Sequence, residues 1–387
     1  KIMPQVSLIK TESYDPAEVE RAVARHFELL GVGAFSPDAR VTVKPNLIMR
    51  CPPERTATTH PAVIEAVVRQ LQARGARRIT IADSPGGLYT PQILSAAYEA
   101  TGMAAVAGRT GASLNLSAGS RNVHVAEGAL CRDFDVIDPV ADADFVVNCC
   151  KLKTHCMTTL SCGVKNLFGC VPGLLKPQLH YRFPDGEQFA RMLVDLSLLV
   201  KPGLTVADAV DAMEGDGPTG GRRRHVGLTA AARYDGLYAL DLVLAGLIGL
   251  GPDRVPMLAE AVRRGLCPDG VSGVELLGDP LPPVIEDFLM PASKKLNFSG
   301  SLPGPLAKAV DWLEPRLAPR PKVRERDCVG CGRCAESCPA KTITVTGGKA
   351  KIGYAKCIRC FCCHEMCPVR AIDIRSVPLF RFLSKGR

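Results

Sequence analysis

The sequence predicts an α/β domain with a mainly parallel sheet and helices on both faces, followed by a small α+β domain. Short apolar strands alternate with amphipathic helices along the first two thirds of the chain, a pattern typical of a doubly wound sheet. A proline-rich stretch and two regular runs of cysteine follow. We therefore place the α/β domain at 1–277, a connector at 278–321, the cysteine-rich domain at 322–376 and a basic tail at 377–387.

The elements of the α/β domain follow from apolar patterning and from helix-start signals. Asp15 and Pro16, for example, supply the cap and the first-turn proline of the first helix. One short helix is predicted inside the connector, around Trp312. Strands are predicted at 5–10, 40–43, 78–82, 144–149, 204–208 and 226–230, and helices at 16–30, 59–74, 91–101, 187–200 and 235–249.

Eight of the 17 cysteines form two runs of the same spacing, C-x2-C-x2-C-x3-C-P, as in bacterial dicluster ferredoxins. Three thiolates on a tight loop cover one face of an iron–sulfur cubane, and the last cysteine of each run ligates the other cluster. The runs therefore predict two [4Fe–4S] clusters, with Cys362 as a non-ligand; a pair of zinc sites is the disfavoured alternative. The predicted ligands are Cys328, Cys331, Cys334 and Cys367 for the first cluster and Cys357, Cys360, Cys363 and Cys338 for the second.

Positive charge is concentrated at the cysteine-rich end of the chain. Residues 320–387 carry 15 Lys and Arg against 5 Asp and Glu, whereas residues 1–319 carry 33 against 34. Two thiolate-ligated cubanes would contribute a charge of about −4 and so offset part of that positive excess. The remaining positive face suits an acidic electron donor such as ferredoxin or flavodoxin. An aromatic content of 5% leaves few side chains for base stacking and argues against a nucleic-acid partner.

Neither a membrane span nor a signal peptide is evident in the sequence. The chain has no run of about 18 uninterrupted apolar residues, and its first residues lack an apolar signal-peptide core. Cysteines at this density indicate metal binding in a reducing compartment rather than a disulfide framework. We expect a cytoplasmic protein without a membrane partner.

Polar side chains follow the predicted strands, at the sheet edge where open α/β sheets bind ligands. Four lysines among them would attract a carboxylate or phosphate, and solvated loop lysines are the alternative. His155 is a candidate proton donor because imidazole titrates near neutrality, with a structural histidine as the alternative. The candidate catalytic residues are His155, Lys153, Lys165 and Asp83, and the candidate substrate-binding residues are Lys44, Asn46, Ser84, Lys151, Asn166 and Glu214.

Four stretches of the α/β domain, in order, resemble the domain of unknown function 362 family. They are 43–46 (VKPN), 151–155 (KLKTH), 163–169 (GVKNLFG) and 214–218 (EGDGP). The resemblance implies an α/β domain whose lysines and His155 line one cleft, with a ferredoxin module behind it. A distant likeness to the lactate racemase fold is also suspected, although no motif carries over its nickel chemistry.

Two other features of the α/β domain bear on its chemistry. The glycines at 215–220 fit G-x-G-x-x-G, but three arginines rather than a helix follow them, so dinucleotide binding is unsupported. Asp241 is expected to orient a neighbouring loop. Five cysteines close together could ligate a further metal, act as reactive thiols or fill the core; they are Cys149, Cys150, Cys156, Cys162 and Cys170.

These features predict an oxygen-sensitive iron–sulfur oxidoreductase. In this hypothesis, low-potential single electrons pass through both clusters to an anionic small molecule in the α/β cleft. The first alternative is a non-catalytic electron-transfer subunit, in which the large domain is only a docking platform. The second is a metallocofactor assembly factor, in which the five central cysteines receive metal.

Overall fold

A computed structural model describes residues 3–292 and 319–375 of the chain. The predicted helix around Trp312 and the basic tail at 377–387 lie outside the described residues. The strands of the α/β domain are β1 (Gln5–Lys10), β2 (Arg40–Lys44), β3 (Arg78–Ile81), β4 (Ser113–Leu114), β5 (Ser120–His124), β6 (Asp133–Ile137), β7 (Phe145–His155), β8 (Thr159–Ser161), β9 (Leu204–Glu214), β10 (Arg222–Arg233) and β11 (Glu275–Gly278). Its helices are α1 (Pro16–Leu29), α2 (Pro61–Ala73), α3 (Pro91–Ala100), α4 (Met103–Thr110), α5 (Asp138–Ala141), α6 (Gly163–Asn166), α7 (Leu175–Arg182), α8 (Gly186–Val200), α9 (Leu237–Leu247) and α10 (Pro256–Arg263).

The central sheet is mixed but mostly parallel. Its order is β11-β1-β10-β9-β7-β2-β3-β4, and β8 pairs with β7 outside this path. Five neighbouring pairs are parallel, whereas β10 runs antiparallel to both β1 and β9, and β8 runs antiparallel to β7. Strands β5 and β6 form a separate antiparallel pair. The predicted α/β fold class is confirmed.

Helices cover both faces of the sheet because each buries one apolar stripe. On one face, α1 and α2 pack against β2 through side chains such as Val23, Ile64 and Val43. On the other face, α8, α9 and α10 form a second core with β1, to which Phe189 and Leu240 contribute. Polar side chains at the sheet edge are thereby held by rigid elements on both sides.

Two central strands extend beyond their predicted ends. Strand β7 continues to His155 rather than 149, and β9 continues to Glu214 rather than 208. The polar motif at 151–155 therefore lies on a buried strand and not in a loop. The prediction failed because charged residues normally end a buried strand, whereas here the lysines find buried partners.

The cysteine-rich module, residues 319–375, contains two copies of one unit, each with a cysteine run and a short helix. Strand β12 (Arg320–Val323) pairs with β15 (Ile372–Arg375), and β13 (Ile343–Thr346) pairs with β14 (Lys349–Ile352), all antiparallel. The third cysteine of each run lies in a one-turn helix, Cys334 in α11 (Arg333–Glu336) and Cys363 in α12 (Cys362–Glu365). The duplication seen in the sequence is therefore present in the structure.

Six short 3₁₀ helices complete the described structure. Among the residues that the structure covers, no helix combines the length and apolar content needed to cross a bilayer. The 3₁₀ helices are Pro53–Arg55, Leu167–Cys170, Tyr234–Gly236, Pro252–Arg254, Val271–Gly273 and Tyr354–Lys356.

Candidate functional site

Two cavities in the cysteine-rich module are each lined by four cysteines. The cavities enclose about 330 and 320 Å³. Each quartet combines three cysteines of one run with the last cysteine of the other, as the partition predicted for two clusters requires. The first quartet is Cys328, Cys331, Cys334 and Cys367, and the second quartet is Cys338, Cys357, Cys360 and Cys363.

The surroundings of both quartets suit an anionic iron–sulfur cluster. Backbone N–H groups point at the cysteine sulfurs: Ala371 N lies 3.1 Å from Cys367 Sγ and Ala350 N lies 3.4 Å from Cys328 Sγ. Such contacts stabilise negative charge on the sulfurs, and apolar neighbours exclude water. The residues present therefore fit the predicted group, and the individual ligand roles stay predictions.

A third and larger cavity, the main cavity, lies between the sheet and the module. Together with the solvent-open space at its mouth, it measures about 720 Å³. The α/β domain contributes the ends of β2 and β3 with the segment around α6 and α7, and the module contributes α12. Its polar lining residues are Lys44, Asn46, Asp83, Ser84, His155, Ser161, Lys165, Asn166, Lys176, His180, Ser337, Cys362 and Glu365.

The floor of the main cavity is a buried ion pair. Lys44 Nζ lies 2.7 Å from Asp83 Oδ1, and Asp83 Oδ2 accepts a hydrogen bond from Leu47 N at 2.9 Å. Both side chains are almost completely buried. Because each charge has a partner, the pair can stay ionised inside the protein and hold the strand ends together.

Gly169 packs directly against this ion pair, and a methyl group there would overlap the Asp83 carboxylate and the Lys44 ammonium. We expect Gly169→Ala to lower the free energy of unfolding by about 1–3 kcal/mol, measured by anaerobic denaturant unfolding. Gly108→Ala is the matched control, because a methyl group on this helical glycine would meet no atom within 4 Å. Equal stability of the two variants would contradict the packing.

Beside the ion pair, a chain of amides connects two strands to α6. Asn46 Nδ2 donates to Asn166 Oδ1 at 2.8 Å, and Asn166 Nδ2 donates to Asn148 Oδ1 at 2.8 Å. Lys153, which does not line the main cavity, donates a hydrogen bond from Nζ to Asn46 Oδ1 at 2.7 Å. The chain fixes the orientation of Asn46 and Asn166, which leaves these two side chains preorganised for a ligand.

Lys165 contributes a positive charge that has no anionic partner in contact with it. Its ammonium lies 5.1 Å from the ring centre of Phe168 and 5.7 Å from that of Phe189, and it makes no hydrogen bond or ion pair with the described residues. Burial lowers the pKa of Lys165, and the charge of Glu365 opposes this effect. An anion bound in the cavity would stabilise the charged ammonium of Lys165 in place of the water that burial removes.

His155 is held in one tautomer by the backbone. Its Nδ1 accepts hydrogen bonds from Met157 N at 3.1 Å and Thr158 N at 3.3 Å, so the ring hydrogen sits on Nε2. Burial, together with the Lys165 charge, lowers the pKa of His155 to about 4. The ring is therefore neutral near pH 7 and presents an N–H donor to the cavity.

Three buried polar atoms that line the main cavity have no hydrogen-bond partner among the described residues. They are His155 Nε2, His180 Nδ1 and Glu365 Oε1. His155 Nε2 and Glu365 Oε1 are 3.3 Å apart but are poorly aligned. Burial opposes ionisation of Glu365, yet the nearby His155 and Lys165 hold its pKa at about 2. Buried polar atoms without partners indicate that a polar ligand or water belongs here.

Comparison with known proteins places this architecture in a family. Residues 41–245 match the domain of unknown function (DUF362) family, and residues 320–368 match a 4Fe-4S dicluster domain. The first match covers more than half of the chain. The chain belongs to the DUF362 family. Its carboxyl-terminal domain is an iron–sulfur domain, which confirms the predicted combination.

Three known proteins are similar to parts of this DUF362 protein. The thylakoid-associated protein sll1697 of Synechocystis sp. (strain ATCC 27184 / PCC 6803 / Kazusa) is 32% identical over 75% of this chain and 88% of its own length. The lactate racemase apoprotein from Thermoanaerobacterium thermosaccharolyticum aligns with a TM-score of 0.41 and 12% identity, over 65% of this chain but 58% of that chain. A Thermotoga maritima protein aligns with a TM-score of 0.39 and 12% identity, over 63% and 61%.

Seven of the ten candidate residues of the DUF362 domain line the main cavity, and three do not. Lys151 Nζ binds Asp208 at 2.8 Å and Tyr14 at 2.7 Å, so its charge is already used within the core. Lys153 binds Asn46 and the backbone of Ala57 behind the wall. Glu214 pairs with Arg222 at 2.7 Å near the end of β9. The substrate or catalytic roles predicted for these three residues therefore have no geometric support.

The central cysteines lie in the core of the DUF362 domain. Cys150 Sγ and Cys162 Sγ are 3.6 Å apart, and both side chains are buried. In residues 3–292 and 319–375, no three His, Cys, Asp or Glu side chains converge to hold a single ion. Asp241 does orient the neighbouring loop as predicted: its carboxylate accepts hydrogen bonds from Gly163 N at 2.7 Å and Val164 N at 3.0 Å.

Six polar lining residues were not among the candidates, and Lys176, His180 and Glu365 are the basic and acidic ones among them. Lys176 and His180 are on α7, whose sequence has no motif that marks a site. Glu365 belongs to the cysteine-rich module, and nothing in the sequence indicates that α12 would face the DUF362 domain. Lys176 Nζ donates to Ser84 Oγ at 2.8 Å, and burial lowers its pKa to about 7.

The pKa of Lys176 predicts pH-dependent anion binding. Below pH 7 the ammonium is charged, whereas above pH 7 it loses its proton, so the affinity for sulfate should fall by up to about tenfold per pH unit above 7. Isothermal titration calorimetry between pH 6 and 9 measures this slope. In Lys176→Met the slope should flatten, and an unchanged slope in that variant would contradict the assignment.

Proposed function

We propose that this DUF362 protein is a cytoplasmic iron–sulfur oxidoreductase that reduces an anionic small molecule in the main cavity. One observation carries the proposal: α12 lies between the second quartet and the main cavity. Cys363 lines the cavity of the second quartet, whereas Cys362 and Glu365 of the same turn line the main cavity. A cluster in the second quartet would be separated from a bound ligand by a single turn of helix, and it would supply single electrons.

The charge of the main cavity supports an anionic ligand. Its lining contains the lysines Lys44, Lys165 and Lys176 but only two carboxylates, Asp83 and Glu365. Lys44 is neutralised by Asp83. When Lys176 is protonated, the two remaining lysines outweigh the one remaining carboxylate, Glu365. Preorganised cations in a dry site stabilise charge that accumulates on a molecule during its reduction.

Proton delivery is better assigned to a lysine than to His155. A neutral imidazole whose pKa is about 4 has no proton to give readily near pH 7. Lys165 has a lowered pKa and an ammonium without a hydrogen-bond partner, so it can transfer a proton to a ligand. In this proposal His155 is a neutral N–H donor that orients the ligand, and Asp83 holds Lys44.

Reoxidation of the reduced protein tests the function. The anaerobically reduced protein is mixed with a panel of small carboxylates and organic phosphates, and the return of its visible absorption is followed. We expect at least one compound to reoxidise the protein faster than buffer and to compete with sulfate. If no compound reoxidises the protein faster than buffer and none competes with sulfate, the chain is an electron-transfer subunit rather than an enzyme.

A further inference from the structure

We propose that electrons enter the protein through the outer face of its cysteine-rich module, where a small acidic electron-carrier protein docks beside the first quartet. The outer face is defined by Arg326, Val329, Cys331, Arg333 and Val369. The inference deepens the proposed function and rests on its premise that both quartets carry electrons.

The two quartets differ in exposure although the sequence duplicates them. Cys331 of the first quartet is exposed, whereas Cys360, at the equivalent position of the second run, is only 8% exposed. Phe361, the neighbour of Cys360, packs against Cys156 of the α/β domain. A cluster edge that reaches the surface is accessible to a partner, so the first quartet is the outward one.

The internal duplication also relates the outer face to the wall of the main cavity. Arg333 stands at the position that Cys362 occupies in the second run, and Glu336 stands at the position of Glu365. Cys362 and Glu365 face the main cavity, whereas Glu336 is exposed. Ser337, which follows Glu336, also reaches the main cavity. The second run thus supplies most of the module's contacts with the ligand site, whereas Glu336 of the first run faces solvent.

The outer face combines apolar contact points with a basic rim. Val329 and Val369 both line the first-quartet cavity and are 62% and 41% exposed. The Arg326 side chain is 85% exposed and makes a loose ion pair with Asp327 at 3.4 Å. Exposed apolar residues beside a redox centre, ringed by cations, are suited to brief docking of a protein of opposite charge.

The charge of the module selects an acidic partner. Residues 319–375 contain twelve Lys and Arg but only five Asp and Glu. Two of these acids are already engaged in ion pairs, Asp327 with Arg324 and Arg326 and Asp373 with Arg324, and Glu365 faces the main cavity. The module therefore stays positive even after two clusters contribute about −4. An acidic ferredoxin or flavodoxin has the complementary charge and the redox group.

Stopped-flow reduction of the full iron-loaded protein tests the docking face. An acidic ferredoxin, reduced in advance, is mixed with the protein, and bleaching of the protein's visible absorption is followed at low and high salt. We expect Arg333→Glu and Arg326→Glu each to slow the reduction about tenfold at low salt, and salt to slow the wild-type reaction. Reduction by methyl viologen radical should stay unchanged.

Lys341→Glu is the matched control. This exposed lysine carries the same charge but follows Pro339 and Ala340, which line the second quartet. Its variant should change the rate less than twofold. A larger effect of Lys341→Glu than of both outer-face variants would overturn the proposal, as would a wild-type rate without salt dependence. Because cluster bleaching is measured without a substrate, failure of the proposed catalytic function would leave this result intact.

Discussion

Lys165→Ala is expected to abolish nearly all ligand reduction while leaving the iron–sulfur absorption unchanged. Lys165 provides a positive charge without an anionic contact partner, held over Phe168 and Phe189 at the wall of the main cavity. Removing one preorganised donor from such a site costs about 100- to 1,000-fold in rate. The reoxidation rate of the reduced protein by its best substrate measures the loss.

The control for this variant is Lys201→Ala. Lys201 is half exposed, pairs only loosely with Glu127 at 3.4 Å and lies outside the main cavity. Its removal should leave the rate and the iron content as they are. Lys165→Arg, which keeps the charge, should recover part of the rate. If Lys165→Ala retained full activity, neither charge stabilisation nor proton delivery could be assigned to this side chain.

Cys363→Ser should remove one cluster and with it all transfer to the main cavity. Cys363 lines the second quartet, and a serine hydroxyl is a poor substitute for a thiolate as a ligand of iron. We expect the iron content to fall from about eight to about four atoms per chain, since each cubane holds four. Elemental analysis and electron paramagnetic resonance of the reduced protein measure both effects.

The adjacent cysteine supplies the comparison. Cys362 lies on the same helix but lines the main cavity rather than either quartet. Cys362→Ser should therefore keep about eight irons per chain. Loss of iron from Cys362→Ser, with retention in Cys363→Ser, would reverse the partition of the cysteines between cluster ligation and the cavity wall.

The cysteine pattern predicted the module well because ligand spacing is a local property. Three thiolates on one loop must be close together wherever the loop lies, and the duplication locates the fourth. Lys44, Asn46 and Asp83 were found for a similar reason, since parallel strands bring their carboxyl ends to one edge. In both cases, local sequence patterns were sufficient to predict that residues far apart in the sequence lie close together in the structure.

Other parts of the site depend on long-range packing that a sequence pattern does not contain. Lys151 and Lys153 were expected in a loop, but each found a buried partner, which allowed β7 to continue through them. Glu365 joined the site only because the module docks on the sheet edge. The contact between two domains is a property of their surfaces, and periodicity within either domain carries no information about it.

The position of α12 also has a consequence for how the protein matures. The same short turn carries a cysteine of the second quartet and two residues of the main-cavity wall. Insertion of iron during biogenesis would therefore order the pocket, and a molecule already in the pocket would in turn favour retention of iron. By thermodynamic reciprocity the two affinities must change by the same factor. In cells short of iron, the protein would then accumulate in a form that lacks its clusters and also binds its ligand weakly.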